Sequence, residues 1–274
     1  MFLKVKKCFQ WFADIYANRR LIVNLANKDF KMRYAASYLG AIWAFVQPIV
    51  TVAIYIFVFQ FGLRAGNTAE GVPYSLWLVA GMVPWLFFFE ALTNATNSLL
   101  EYSYLVKKVV FKISVLPIVK ILTALYVHVF FIGVAIVVYL LFGYTLTISL
   151  VQVIYYTFAA TALVLCISYI TSALVIFFRD LGQIVNIILQ FMMWLTPILW
   201  RLEDVDIIPD SLHWIFKLNP IHYITSGYRD AFIYGTWFYE KPLWTLYFWC
   251  FILVTGIMGI FTFKKLEKHF ADVL

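Results

Sequence analysis

The chain has 274 residues, of which 64% are hydrophobic and 13% charged, against about a quarter charged in a soluble domain; this is the composition of a membrane protein, not of a soluble enzyme. Its net charge of +7 raises nucleic acid as a partner, but polyanion binders gather their cations on one patch or stripe, and here the lysines and arginines fall between apolar segments. Cys8, Cys166 and Cys250 are scattered without paired spacing, so neither a disulfide framework nor a thiolate metal site is expected.

Residues 1–38 read as an N-terminal amphipathic interfacial region. Val5, Phe9, Phe12, Tyr16 and Val23 recur near helical spacing opposite a polar stripe of Lys7, Gln10, Asp14 and Asn18, with Trp11 suited to headgroup depth. No unbroken apolar run followed by small residues occurs there, so a cleaved signal is not expected. Residues 39–274 read as a single six-helix transmembrane domain, because a crossing needs about 20 apolar residues and the gaps between charges supply spans at about 39–62, 75–97, 115–141, 150–176, 181–200 and 243–263. An even number places both termini on one side. Lysine and arginine crowd the N-terminal segment, the loop after the second span, Arg179 and the tail, so the bias of short loops makes that side the cytoplasm.

The loop at 101–119, "EYSYLVKKVVFKISVLPIV", packs Lys107, Lys108 and Lys112 among Val106, Val109 and Phe111. The topological bias alone would explain the lysines. The interleaved apolar residues, however, form a short amphipathic helix suited to a partner's groove, where apolar anchors supply affinity and a charged rim sets orientation. A smaller turn, "FFRDLGQ" at 177–183, holds Arg179 and Asp180 on the same side. The segment 201–242 contains "PDSLHWIFKLNP" and "PIHYITSGYRDAFIYG", each bounded by Pro or Gly and each too short to cross, so they read as re-entrant or interfacial helices. Two polar residues stand out inside spans. Glu90 has two readings, packing against Asn186 or Gln190, or lining a pore; His128 reads as a satisfied packing histidine, because a proton relay needs a chain of ionisable groups.

Three stretches, "NKDFKMRYAASYLGAIWAFVQPIV" at 27–50, residues 61–118 running through "LVKKVVFKISVLPI", and "NPIHYITSGYRDAFIYG" at 219–235, resemble the permease subunits of ABC exporters that move lipid-linked polysaccharides, the teichoic acid and O-antigen exporters. The middle stretch leans towards the teichoic acid branch, with O-antigen and capsular glycans next. The resemblance implies an all-α integral membrane subunit of a bacterial plasma membrane. It would work as a homodimer with two separately encoded ATP-binding cassette subunits, among membrane lipids, on a polyprenyl-pyrophosphate-linked glycan, without nucleic acid. No cofactor is expected on this chain; ATP and Mg would be used by the partner ATPase, since a P-loop needs a Gly-Lys pair and none occurs here.

The same resemblance assigns expected roles. Val106, Lys107, Lys108, Val109, Phe111 and Lys112, with Arg179 and Asp180, would couple to the ATPase. Tyr38, Trp43, Phe45, Tyr55, Phe59, Trp194 and Trp200 would line the path of the sugar chain, with an aromatic belt at the two interfaces, or packing, as the strong rival reading for each. Lys28, Lys31 and Arg33 would meet the pyrophosphate at the inner surface, arginine being suited to bidentate phosphate contact, with the topological charge bias as rival. Tyr228, Arg229 and Asp230 would form an outer gate, the last two paired with each other or with a neighbour. An exporter of another lipid or drug-like substrate, a channel and a membrane-embedded enzyme are the alternatives.

Overall fold

The computed structural model describes residues 16–35, 37–63, 66–68, 71–106, 112–145, 147–202, 205 and 209–273. Phe9, Trp11, Lys107, Lys108, Val109 and Phe111 therefore lie outside the described residues. Among the described residues the regular structure is helical, with one isolated bridge between Asn67 and Pro73. The helices are α1 (Arg19–Arg33), α2 (Trp43–Ile56), α3 (Tyr74–Glu101), α4 (Leu116–Leu141), α5 (Gln152–Val175), α6 (Leu181–Leu195), α7 (His213–Lys217), α8 (Pro220–Arg229) and α9 (Pro242–Leu266).

Short 3₁₀ or π turns extend several of them, giving five helical segments long and apolar enough to cross a membrane: Gly40–Gly62, Tyr74–Glu101, Ile113–Leu141, Ile148–Val175 and Pro242–His269. The sixth, α6, has 15 residues, about 22 Å at 1.5 Å per residue, short of a hydrocarbon core of about 30 Å. It ends five residues before the expected position 200, and the next residue, Thr196, is extended at φ −78°, ψ 133° as a following proline favours, although Pro48 and Pro84 are accommodated inside α2 and α3.

The helix α3 is the axis of the fold. Its apolar window is 78% buried, against 17% for the first span and 22% for the last, and it packs on α2, α4, α5, α6 and α8. With no hydrophobic drive between helices in lipid, close backbone approach and hydrogen bonds hold such a bundle. Thr96 shares a hydrogen bond with Thr171 at 2.7 Å, and Thr93 donates to Asn186 at 2.9 Å. Gly227 lets α8 press onto α5, where an added Cβ would stand 2.1 Å from the Tyr156 ring.

The end of the bundle at which α3 finishes and α4 begins is termed basal, the other apical. At the basal end α1 does not stand apart. Its face of Ile22, Ala26 and Asp29 is buried, a spacing of i, i+4 and i+7 that makes one helical stripe. That stripe ascends α4, with Ile22 and Ala26 on Val115 and Val119 and the Phe30 ring 6.1 Å from Tyr126. Lys28 and Lys31 face away and are exposed. At the apical end Asn219 starts α8 by accepting from the Ile221 N–H at 3.2 Å, with Pro220 at the first helical position, where its missing donor costs nothing.

Candidate functional site

At the basal end the stems of the loop 102–112 meet the turn between α5 and α6. Tyr102, Leu116, Ile176 and Phe270 belong to one buried apolar cluster, and Phe177 lies 6.1 Å from Phe270. Ser103–Val106 forms a helical turn, and Lys112, Arg179 and Asp180 are exposed. The described stems on either side of residues 107–111 thus lie at the same end as Arg179 and Asp180. Beneath them Asp29 of α1 is 7% exposed; it accepts from Tyr102 Oη at 2.5 Å and from Lys120 Nζ at 2.7 Å, and Lys120 also meets Glu101 Oε2 at 2.6 Å. One buried lysine therefore ties α1 to both stems of the loop.

Higher up, Arg33 ends α1 and donates to Glu90. Glu90 lies eleven residues before the end of α3 at Glu101, about 16 Å along the helix. Arg33 thus turns towards α3 where Lys28 and Lys31 face away, and Glu90 takes neither Asn186 nor Gln190; Asn186 is engaged by Thr93 and Gln190 is exposed. The pair borders a cavity of about 520 Å³ between α2, α3 and α4, lined by Gln47, Thr51, Phe87, Asn94 and His128 among others. His128, 2% exposed, shares a hydrogen bond with Tyr228 Oη at 2.8 Å, which in turn meets Thr157 at 2.6 Å. Tyr228 is fully buried. Its hydroxyl joins α4, α5 and α8.

At the apical end Arg229 is 4% exposed. Its guanidinium donates to the Pro197 carbonyl at 2.8 Å, the Ile198 carbonyl at 3.0 Å and the Trp77 carbonyl at 3.4 Å, and lies 3.4 Å from the centroid of the Trp77 ring. Gly81 makes this possible, since a Cβ there would stand 2.5 Å from Nη2. Asp230 pairs instead with Lys241 at 2.5 Å. Arg229 and Asp230 are therefore neither bonded to each other nor exposed. Burial pushes the Asp230 carboxyl above its ordinary range, and Lys241 beside it pulls the other way. Burial, aided by Arg229, Lys217 and Lys241, lowers His222 to about 3, so its imidazole is neutral. These groups line a cavity of about 570 Å³ to which Arg201, Lys217 and Trp244 also contribute.

The expected aromatic path divides. Tyr55, Phe59, Tyr74 and Trp77 form a ladder, with successive ring centroids 6.3, 5.4 and 5.4 Å apart, that ends on Arg229. Tyr38, Trp43 and Trp194 are exposed. Phe45 turns inward, its ring edge-on to Phe130 at 4.6 Å, and Trp200, beyond the end of α6, donates to the Trp194 carbonyl at 2.8 Å and packs on Phe216. Among the described residues no group of three or more His, Cys, Asp or Glu could hold a metal.

Residues 20–233 match the ABC-2 type transporter family. The chain belongs to that family. It is also 34% identical over 258 residues to an O-antigen export system permease protein RfbA of Klebsiella pneumoniae, covering 93% of this chain and 95% of the relative. A second Klebsiella pneumoniae protein of that name is 33% identical over 265 residues, and one of Myxococcus xanthus 25% over 256, with similar coverage. This ABC-2 membrane subunit is a multi-pass permease of the plasma membrane.

What the subunit's geometry adds to the sequence is the set of contacts that tie its ends together. Asp29 and Lys120 are 91 positions apart, and Trp77 and Arg229 are 152 apart; neither pair has a local spacing. A single acid in the buried stripe of α1, and a lysine one turn inside the third span, were the available signals.

Proposed function

We propose that the chain is the permease of an ATP-driven exporter of a polyprenyl-pyrophosphate-linked polysaccharide, with its basal end in the cytoplasm, both termini there, and two separate ATPase subunits docked on that end. The observation that carries this reading is the convergence of the 102–112 stems and the Arg179–Asp180 turn on one basal platform tied to α1. The relatives' names favour an O-antigen-type glycan over the teichoic acid branch to which the middle stretch leans. A second copy would cover the apolar faces that a single chain leaves bare, where Phe57, Phe61, Ile187, Phe191 and Trp194 are each about two-thirds exposed. Tyr55 and Phe59, both partly exposed, are the inward part of the expected aromatic set suited to stack sugar faces.

The docking role has a direct test. Val109→Asp with Phe111→Asp should leave the chain in the membrane but reduce recovery of the co-encoded ATPase by at least tenfold in a pull-down, because two apolar anchors are replaced by charges that a groove would desolvate. Normal recovery would show that this loop does not hold the motor.

A further inference from the structure

The cavity between α2, α3 and α4 carries the one charged pair that the described residues place well inside the length of α3, away from its ends. We propose that it is a binding site for the anionic, phosphate-bearing head group of an amphiphile, and that Glu90 is a built-in counter-anion which the head group displaces from Arg33. The proposal deepens the lipid-linked substrate read above and rests on that reading for its biological occupant.

Three features point the same way. A guanidinium at this depth is costly unless paired, so an empty site needs an internal anion, and Glu90 supplies it: Arg33 Nη1 donates to Glu90 Oε1, with the two side chains 30% and 29% exposed. Neither is sealed in, so a competing anion can reach both. Next, the cavity of about 520 Å³ is larger than the ion pair needs. Its lining mixes Gln47, Thr51 and Asn94 with Pro48 and Phe87, polar groups for phosphate oxygens beside apolar wall for the start of a lipid chain. Third, a released Glu90 has somewhere to go. Asn94 lies four residues further along α3, on the same helical face, and lines the same cavity, with amide donors for the carboxylate.

The exchange also selects. A diphosphate offers Arg33 two oxygens in the planar fork that guanidinium prefers, and carries more charge than a carboxylate. A neutral or zwitterionic lipid cannot outcompete Glu90, and is rejected without any steric barrier. Glu90 thus sets a threshold: only strongly anionic head groups open the pair.

The test uses the full chain in phosphatidylcholine nanodiscs and a fluorescent polyprenyl diphosphate as probe. Glu90→Gln removes the competing charge and should tighten probe binding about tenfold; Arg33→Gln should weaken it at least tenfold, and the double variant should stay weak. Glu90→Asp, which keeps the charge, should bind as the parent does and serves as the control for folding. Unchanged or weaker binding by a folded Glu90→Gln chain overturns the exchange. Inorganic pyrophosphate, added as competitor, should displace the probe only at concentrations at least a hundredfold above the probe's own affinity; displacement at equal concentration assigns the site to a free anion and overturns the amphiphile. Surface glycan in cells is scored in parallel. If Glu90→Gln leaves affinity unchanged while export still depends on the chain, the exchange fails and the transport reading stands. If Glu90→Gln tightens the lipid in a chain that exports no glycan, the site stands and the transport reading fails.

Discussion

Lys120→Met should destabilise the chain by about 3–5 kcal/mol, because it leaves an uncompensated charge in a buried site. Asp29 has a side chain only 9% exposed. Without the lysine it keeps the Tyr102 hydroxyl but faces Glu101, which had shared the same ammonium. Methionine fills much of the lysine stem, so the loss is chiefly electrostatic and not a cavity. The second variant, Asp29→Asn with Lys120→Met, removes both charges and should recover more than half of the lost stability, since an apolar or neutral replacement of a whole buried pair is often nearly neutral. Heat-induced unfolding in detergent measures both. Glu101 is half exposed, with a side chain 49% accessible, so Glu101→Gln should cost at most about 1 kcal/mol. If Lys120→Met unfolded at the parent's temperature, the lysine would not be what binds α1 to the loop stems.

Arg229→Lys should be nearly as damaging as Arg229→Met. A single ammonium cannot reach the carbonyls of Pro197, Ile198 and Trp77 from one position, whereas the guanidinium fork does so while stacked on the Trp77 ring. The Pro197 and Ile198 carbonyls are buried outside helices, and each left without a donor costs about 1–3 kcal/mol, so a loss of about 3 kcal/mol is expected for either substitution. The effect should extend to transport, because the same arginine holds the turn after α6 against α8 and closes the aromatic ladder from α2. Gly81→Ala approaches the defect from the other side, by placing a Cβ 2.5 Å from Nη2. The combination Gly81→Ala with Arg229→Lys should therefore cost little more than either change alone, as expected for two lesions in one contact. Thermal midpoints give the energies and surface glycan gives the activity. Full additivity would separate the glycine from the arginine.

The helices themselves were legible in the sequence, because each apolar run has the length a bilayer demands and the charges punctuate the runs. The spans expected at 39–62, 115–141 and 243–263 appear as Gly40–Gly62, Ile113–Leu141 and Pro242–His269. The fifth was read too long. Residues 196–200 are as apolar as a span requires, and the bias of the residue before Pro197 was an ambiguous signal, since Pro48 and Pro84 sit inside helices that continue. The sites were legible by residue type more than by partner. Arg33, Glu90, Arg229 and Asp230 were all singled out, yet each finds its partner in an element distant in sequence or on an unexpected side. An arginine next to an aspartate suggests a pair, but neighbours along a helix point in different directions, and here Arg229 turns to α3 while Asp230 turns to Lys241. Asp29 and Lys120 escaped notice because a lone charge near a helix end looks like any solvated one until the fold buries it.

The central claim is that this permease moves a lipid-linked glycan only when an ATPase drives its basal end. The measurement closest to it is the movement of a polyprenyl-diphosphate-linked glycan across proteoliposomes holding the chain and its co-encoded ATPase. Movement that requires ATP, and that fails with the Val109→Asp, Phe111→Asp chain, is the predicted result. Movement at the same rate without nucleotide, or ATP turnover with no glycan crossing, would contradict it.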